Sequence, residues 1–471
     1  MVALAVGVLL LSGGTAFGAP DTHVASSLAP VHVRARARAS AQRGPTVPAA
    51  LQSLLRSSAI DESAYQQDYS AYASAKSSLA KLTGTRKEEL GAVLKSVQGM
   101  AAAGELTPSR LPVVFLTLER NRSWWTSEPL IDGEQHESFP PSELVWEHYP
   151  GQGLQLQWLA TFGEANAYYA NYEDANLRQL LNEVIPLATQ RAGGIAWEYM
   201  FDFDGGTPPW TSGLSQGTAI QVLARAWQRF KESAYLTAAQ QALGIFEQPP
   251  PQGVRVDTPV GAMYAEYTYA PTDKILNGFI QSLVGLYEYT AITKDPLGEQ
   301  LFEAGDAEAR AIVPYYNTGA WSMYDQFGES DLNYHELLTA FLQHLCERTR
   351  KGPPIAQTNT PIAGDSLYCT TAAAFTADLH TPPAIALLSS TLPAKARAGV
   401  ELSLSKVATV SMTVREGSKV VWTNTALVER GTPKLLWVTP AKGGTFAVTL
   451  TATDLAGNVA STSGTIVVRK P

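Results

Sequence analysis

Cysteine, histidine and positive charge are all scarce in this chain of 471 residues. There are two cysteines, Cys346 and Cys369, and seven histidines. No spacing of these residues suits a zinc site, so metal catalysis is not indicated and no metal ligands are assigned. The two thiols either close one disulfide or stay separate and buried, since pairing depends on geometry. No glycine-rich dinucleotide fingerprint is present, and no cofactor is expected. Lys and Arg total 35 against 43 Asp and Glu, a net charge of −8. Five arginines and Asp21 are the charges of residues 1 to 60, so the rest of the chain holds 30 basic residues against 42 acidic ones, or −12. That balance removes nucleic acid from the expected partners and requires any anion subsite to be local. The N-terminal apolar run, VALAVGVLLLSGGTAFGA, is too short and glycine-rich to span a bilayer. Its small-residue end, AFGA, makes residues 1–19 read as a secretory signal peptide, so a secreted or cell-surface protein is expected.

Beyond this run the chain divides by composition. Residues 20–55 are rich in Ala, Pro, Ser and Val, with Arg34, Arg36, Arg38 and Arg43 unbalanced by acid, and read as a disordered linker. Such a basic tether could touch an anionic cell envelope, but a solvated linker is the simpler reading. Residues 56–380 carry helical periodicity. LPVVFLTLERN fits either a short strand or a buried helix start. PGQG stops the chain, and the helix expected after it carries Leu154, Leu156, Trp158, Leu159 and Phe162, too many apolar residues for an exposed position. Helical segments recur near 153–170, 175–192, 214–231, 234–248, 274–292, 297–314 and 334–349, so the fold class expected is an α/α toroid, a helical barrel. Loops rich in Gly, Pro and aromatic residues introduce the inner helices: EHYPGQG, TPPWTSGLSQG, YAEYTYAPTD and ESDLNYHE. On one rim they would make a carbohydrate cleft, in which sugar C–H faces stack on aromatic rings. Residues 381–471 alternate apolar and polar positions between glycine turns and read as an immunoglobulin-like β-sandwich for adhesion, spacing or sugar binding, a spacer being the simplest reading.

The stretch from Tyr264 to Leu345 concentrates the chemistry. It sets Glu266 among Tyr267 and Tyr269, starts a buried helix near Ile275, and adds the loop tyrosines Tyr324 and Tyr334. Phenols gathered around a carboxylate suit acid–base work on an organic substrate. A phenol titrates near 10 in water and needs a cation or hydrogen bonds to act as a base, but neutral it is a good proton donor.

The wording of this stretch resembles the C-terminal catalytic domain of the glucuronyl 5-epimerases, which invert carbon 5 of hexuronic acids within polysaccharides. The likeness lies in EY at Glu266-Tyr267, PTDKILNGF followed by LVGLYEY, TGAWSMYD, and NYH before a leucine-rich helix. PPWTSGLSQGTAIQVLARAW adds to it less specifically. The resemblance implies that the tyrosines and the glutamate move the protons. Tyr267 and Tyr334 are expected as the facing pair, Glu266 as base or orienter, and Tyr324 as support for the carboxylate. Substrate-binding expectations are Tyr149, Gln152, Trp210, Gln216, Tyr269, Asn277, Trp321 and His335, while Arg225, deep in its helix, suits a structural ion pair. The expected partner is a uronic-acid-containing polysaccharide, with a homodimer left open. Two positions depart from the family pattern: Thr268 follows EY where proline is common, and Asn333 precedes YH where an acid is common. Vertebrate members also place a β-rich region ahead of the helical domain, whereas here a β-module follows it.

Three other classes stay in play. A polysaccharide lyase begins with the same proton abstraction and then expels the carbon 4 substituent. A glycoside hydrolase needs two carboxylates, for which Asp202, Asp204 and Glu266 are the candidates. A non-catalytic glycan-binding protein would need neither.

Overall fold

The computed structural model describes residues 44–357 and 366–469. The signal-peptide reading of 1–19 and the linker as far as residue 43 lie outside the described residues. An α-rich region is followed by a β-rich one, and no described helix is long and apolar enough to cross a membrane.

The described residues form two compact units, and the first holds residues 44–273, 281–308 and 353–357. It begins earlier than the linker reading allows. Helix α1 (Val47–Arg56) starts where the Thr46 hydroxyl accepts from the Ala49 amide, has Pro48 in its first turn, and buries Val47 and Leu51 completely. The linker expected to residue 55 is thus corrected: two apolar residues four apart give the stretch a face to bury. Helices α2 (Glu62–Leu79), α3 (Gly84–Ala103) and α4 (Leu111–Ser127) pack with it. LPVVFLTLERN, undecided from sequence, lies in α4 with Leu111, Val114, Phe115 and Leu118 buried.

Strands β1 (His136–Glu137), β2 (Trp146–Tyr149) and β3 (Gly153–Leu156) make an antiparallel sheet, and α5 (Trp158–Ala170) comes next. Leu154 and Leu156 are therefore strand residues rather than the start of the helix. Then come α6 (Asp174–Val184), the hairpin of β4 (Thr189–Arg191) and β5 (Gly194–Ala196), α7 (Gly213–Phe230), α8 (Ser233–Ala242) and α9 (Gly244–Glu247). The hairpin of β6 (Arg255–Asp257) and β7 (Ala262–Tyr264) precedes α10 (Leu276–Thr293) and α11 (Pro296–Ile312). Hairpins thus stand ahead of α5, α7 and α10, the most buried helices. Helices α7 and α10 approach so closely at Gly217 and Gly285 that a Cβ on Gly285 would lie 2.1 Å from the Gly217 carbonyl oxygen. Arg225 in α7 is ion-paired with Glu288 and donates to Asn166 Oδ1 at 2.7 Å, the structural role its position indicated.

The second unit holds residues 274–280, 309–352 and 366–469. It contains α12 (Leu332–Thr349) and α13 (Ser366–Asp378), packed together and joined by the disulfide Cys346–Cys369. It also contains β8 (Ile385–Leu387), β9 (Thr391–Pro393), β10 (Arg397–Leu404), β11 (Ala408–Glu416), β12 (Lys419–Val428), β13 (Lys434–Val438), β14 (Gly444–Asp454) and β15 (Val459–Arg469). These make one sheet of order β13-β10-β8 and another of order β12-β11-β14-β15-β9, antiparallel except where β15 meets β9. Both bury alternate residues in one core: Val400 and Leu402 with Trp437 from the first, Val410, Met412, Phe446, Val448, Leu450 and Ile466 from the second. A division at residue 380 reads composition alone. In the structure, α12 and α13 cluster with the strands that come after them.

Candidate active site

The Glu266-Tyr267-Thr268-Tyr269 segment leaves β7 and is pinned along its length to the start of α7. Gly213 donates its N–H to the Ala265 carbonyl at 3.1 Å, and Thr268 N–H donates to the Thr211 carbonyl at 3.1 Å. Thr211 N–H returns a bond to the Thr268 hydroxyl at 3.1 Å. The departure at Thr268 thus has a local use, since a proline there would have neither donor nor hydroxyl.

This pinning drives Glu266 inward until it is 4 % exposed, and its Oε2 has no hydrogen-bond partner among the described residues. Removal from water penalises the charged form and pushes the carboxyl from 4.5 to about 7, with a side-chain hydrogen bond from Tyr267 opposing the rise. Tyr267 stacks on Tyr269 with ring centroids 5.3 Å apart, across a turn that the Ala270 N–H closes by donating to the Tyr267 carbonyl at 3.1 Å. Burial beside Asp204, Glu266 and Asp273 raises the Tyr269 phenol, whose oxygen also lacks a protein partner among the described residues.

An aromatic wall surrounds the pair. Trp210 meets Tyr267 edge-on at 5.8 Å and Tyr269 at 5.4 Å, and Phe203 lies 5.9 Å from Tyr267. Tyr149, from β2, joins through Phe203 at 6.0 Å and Phe201 at 4.5 Å. Tyr149, Trp210, Tyr267 and Tyr269, singled out from sequence, are therefore brought together from three separate segments.

Tyr149 also belongs to a buried polar chain whose other members, Glu147, Gln157 and Tyr199, the residue patterns did not single out. Tyr149 donates to Glu147 at 2.9 Å, Gln157 Nε2 donates to the same carboxylate oxygen at 2.9 Å, and the Tyr199 hydroxyl donates to Gln157 Oε1 at 3.2 Å. Burial raises the Tyr199 phenol, the Ser215 hydrogen bond opposes the rise, and the nearby Glu147 and Glu266 carboxylates add to it. Two signals could have found this chain: Glu147 and Tyr149 are two apart on a strand, and Tyr199, Phe201 and Phe203 repeat the same period.

Two of the residues expected to contact substrate, Trp210 and Gln216, lie in the interior. Trp210 is 2 % exposed, with Tyr199 stacked at 4.2 Å and Phe203 stacked at 5.7 Å, so its faces are taken. Gln216 is fully buried, and its Nε2 donates to the Trp197 carbonyl and to Thr211 Oγ1. Gln152 sits in the turn of the β2–β3 hairpin, its N–H donating to the Tyr149 carbonyl.

In the second unit, Tyr324 and Tyr334 meet with ring centroids 4.7 Å apart. Tyr324 closes its loop through its N–H to the Gly328 carbonyl at 2.9 Å, and Tyr334 lies in the first turn of α12, where Asp331 caps its N–H at 2.8 Å. Trp321 and His335 pack on each other: the rings stack 3.7 Å apart at 9°, and Lys406 Nζ lies 5.0 Å over the Trp321 ring. His335 Nε2 donates to the Phe375 carbonyl, and Nδ1 accepts from Ser322 N–H. Burial and Lys406 hold this imidazole neutral, at about 4, with the Phe375 bond opposing. Asn277 is 2 % exposed, and its amide has no partner among the described residues.

Comparison with known proteins agrees with the wording of the chain. Residues 192–358 match the family model described as D-glucuronyl C5-epimerase C-terminus. Over this segment the chain resembles the glucuronyl C5-epimerases. A D-glucuronyl C5-epimerase of Caenorhabditis elegans is 33 % identical over 131 residues, 25 % of this chain and 21 % of that protein. An uncharacterized protein of Methanocaldococcus jannaschii is 24 % identical over 151 residues, 31 % of this chain and 49 % of that one. The chain therefore spans from about a fifth to about a half of the length of these curated relatives. A solved structure, a glycosyl hydrolase family 88 protein from Bacteroides vulgatus, aligns at 11 % identity with a TM-score of 0.33, over 67 % of this chain and 85 % of that one. Glu266, Tyr267, Tyr324 and Tyr334 all fall inside the epimerase segment; Tyr149 and Gln152 precede it.

Proposed function

We propose that this protein is a uronate 5-epimerase acting on a polysaccharide, inverting carbon 5 of glucuronic acid residues by proton transfer from two faces. The observation that carries the reading is Glu266: a buried carboxyl titrating at about 7, one oxygen without a protein partner among the described residues, beside Tyr267 and inside the family segment. A carboxyl near neutrality is present in both forms at working pH, so it can take a proton and give it back. On this reading the C5–H proton passes to a base, the electron pair delocalises onto the substrate carboxylate, and a phenol returns a proton to the opposite face of C5. Tyr267 and Tyr334 are assigned the transfers, Glu266 the part of base or orienter, and Tyr324 support of the carboxylate; the family resemblance supports these roles. Tyr269 and Tyr149 are assigned to substrate positioning.

The same proposal reads the hairpin-led helices as staves of an α/α toroid and the two-sheet region as an immunoglobulin-like sandwich. It places the protein outside the cytoplasm, where the Cys346–Cys369 disulfide would persist. The test is incubation with heparosan, chondroitin and bacterial uronans in deuterated water. Label at carbon 5 without chain cleavage supports the proposal; no label in any polymer refutes it. A new double bond would identify a lyase instead, and new reducing ends a hydrolase.

A further inference from the structure

The loop carrying Tyr324 is held from behind by the β-rich part of its own unit. At the loop's end, Glu329 has a side chain only 3 % exposed. Its Oε2 accepts the Val407 N–H at 2.8 Å, and Arg430 Nε stands 3.3 Å from Oε1 as an ion pair without hydrogen-bond alignment. One residue before Val407, Lys406 is buried with its side chain 2 % exposed. Its Nζ forms an ion pair with Asp454 at 2.7 Å and donates to the carbonyls of Asp378 at 2.8 Å and Thr381 at 2.6 Å. That ammonium lies over the Trp321 ring, and the Trp321 indole N–H donates to the Ser330 carbonyl at 2.8 Å, closing the loop at its base. The connection between β10 and β11 thus grips both ends of the Trp321–Ser330 loop. The loop in turn leads directly into Asp331, which caps the Tyr334 amide.

We propose that the β-sandwich is a clamp for the Tyr324–Tyr334 pair, not a detachable spacer, with Glu329 and Lys406 as its positioning residues. The inference rests on the epimerase reading for the importance of those phenols, but the clamp itself is a statement about order in one unit. A buried carboxylate that accepts a main-chain N–H from a strand-end loop fixes position as well as charge. Removing it frees the loop from the strands while leaving the phenols in the chain.

The experiment uses the full chain as wild type, Glu329→Ala, Glu329→Gln and Arg430→Ala. Amide hydrogen exchange over residues 322–334 should quicken about tenfold in Glu329→Ala and less in Arg430→Ala, where the surface arm alone is lost. Deuterium wash-in at carbon 5 of heparosan, or of chondroitin if that is the polymer labelled, should fall about tenfold in kcat with KM unchanged. Glu329→Gln should restore most of it, because the amide oxygen still accepts the Val407 N–H. Should Glu329→Ala prove poorly folded, Arg430→Ala, at an exposed position, carries the same comparison. Unchanged exchange over 322–334 overturns the clamp. Quickened exchange with full kcat, while Tyr324→Phe and Tyr334→Phe are inactive, also overturns the positioning role and leaves the epimerase reading intact. If both tyrosine variants keep full activity, the assignment of those phenols fails instead, and amide exchange alone upholds or overturns the clamp.

Discussion

Glu266 makes the stability of its unit depend on pH in an unusual direction. Its carboxyl rises from 4.5 to about 7 on folding because burial disfavours the anion. The folded state therefore holds this proton more tightly than the unfolded chain. The contribution to stability is fully present below 4.5 and is lost as pH rises through about 7. The interval of roughly 2.5 pH units, at about 1.4 kcal/mol each, makes the loss about 3 kcal/mol above pH 8. Glu266→Gln keeps the shape and cannot ionise, so it should be about 3 kcal/mol more stable relative to wild type at pH 8.5 than at pH 4.5. Urea midpoints for wild type and variant at half-unit intervals, read by tryptophan fluorescence, give the difference curve. Tyr267→Phe removes the hydrogen bond that opposes the rise and should move the curve's midpoint to higher pH. A difference between wild type and Glu266→Gln that stays flat from pH 4.5 to 8.5 would refute the reasoning, because it would mean that Glu266 ionises as freely folded as unfolded.

Three further outcomes are expected. Glu198 is enclosed by the guanidinium groups of Arg110 and Arg191, so Glu198→Gln should lower unfolding free energy by about 3 to 5 kcal/mol, and a urea midpoint change worth under 1 kcal/mol would contradict it. Gly285→Ala forces α10 away from the Gly217 carbonyl and should cost about 1 to 3 kcal/mol by the same assay, whereas an unchanged midpoint would show that the helices can part freely. Cys346 and Cys369 close a loop of sequence separation 23, so reduction should lower the stability of their unit by about 3 kcal/mol, read as a drop in its melting temperature with dithiothreitol.

The sequence was most legible where one period governs a long stretch. Helices α7, α10 and α12 start within about two residues of where apolar spacing put them, because each has a full turn of buried residues and a hairpin or cap at its start. The β-rich end was legible for the same reason, since Ala408, Val410, Met412 and Val414 alternate with Thr409, Ser411 and Thr413. Legibility failed where two periods share a residue. Leu154, Leu156, Trp158, Leu159 and Phe162 satisfy a helical count, but the first two obey period two, paired across the hairpin with His148 and Trp146. The start of α1 was hidden for another reason: its two buried residues sit in a stretch whose composition is that of a tether.

The candidate site shows a different limit. Residue type singled out Glu266 and the tyrosines as candidates, and the structure sets Tyr269 against Tyr267 and Tyr334 against Tyr324. Residue type could not separate Trp210 and Trp321 from sugar platforms, since an indole bound to a carbonyl and an indole stacked on a sugar have the same letter. What separates them is the occupancy of their faces, by Tyr199 and Phe203 in one case and by His335 and Lys406 in the other. The same occupancy gives these tryptophans a use. They are rigid, fully engaged side chains behind the phenols, so Tyr267 and Tyr269 rest on Trp210, and the loop of Tyr324 is closed by the Trp321 indole N–H. A group that must deliver a proton to one face of a carbon has to be held within a fraction of an ångström. On the proposed function, the use of these buried tryptophans is to hold the proton donors in place rather than to hold substrate.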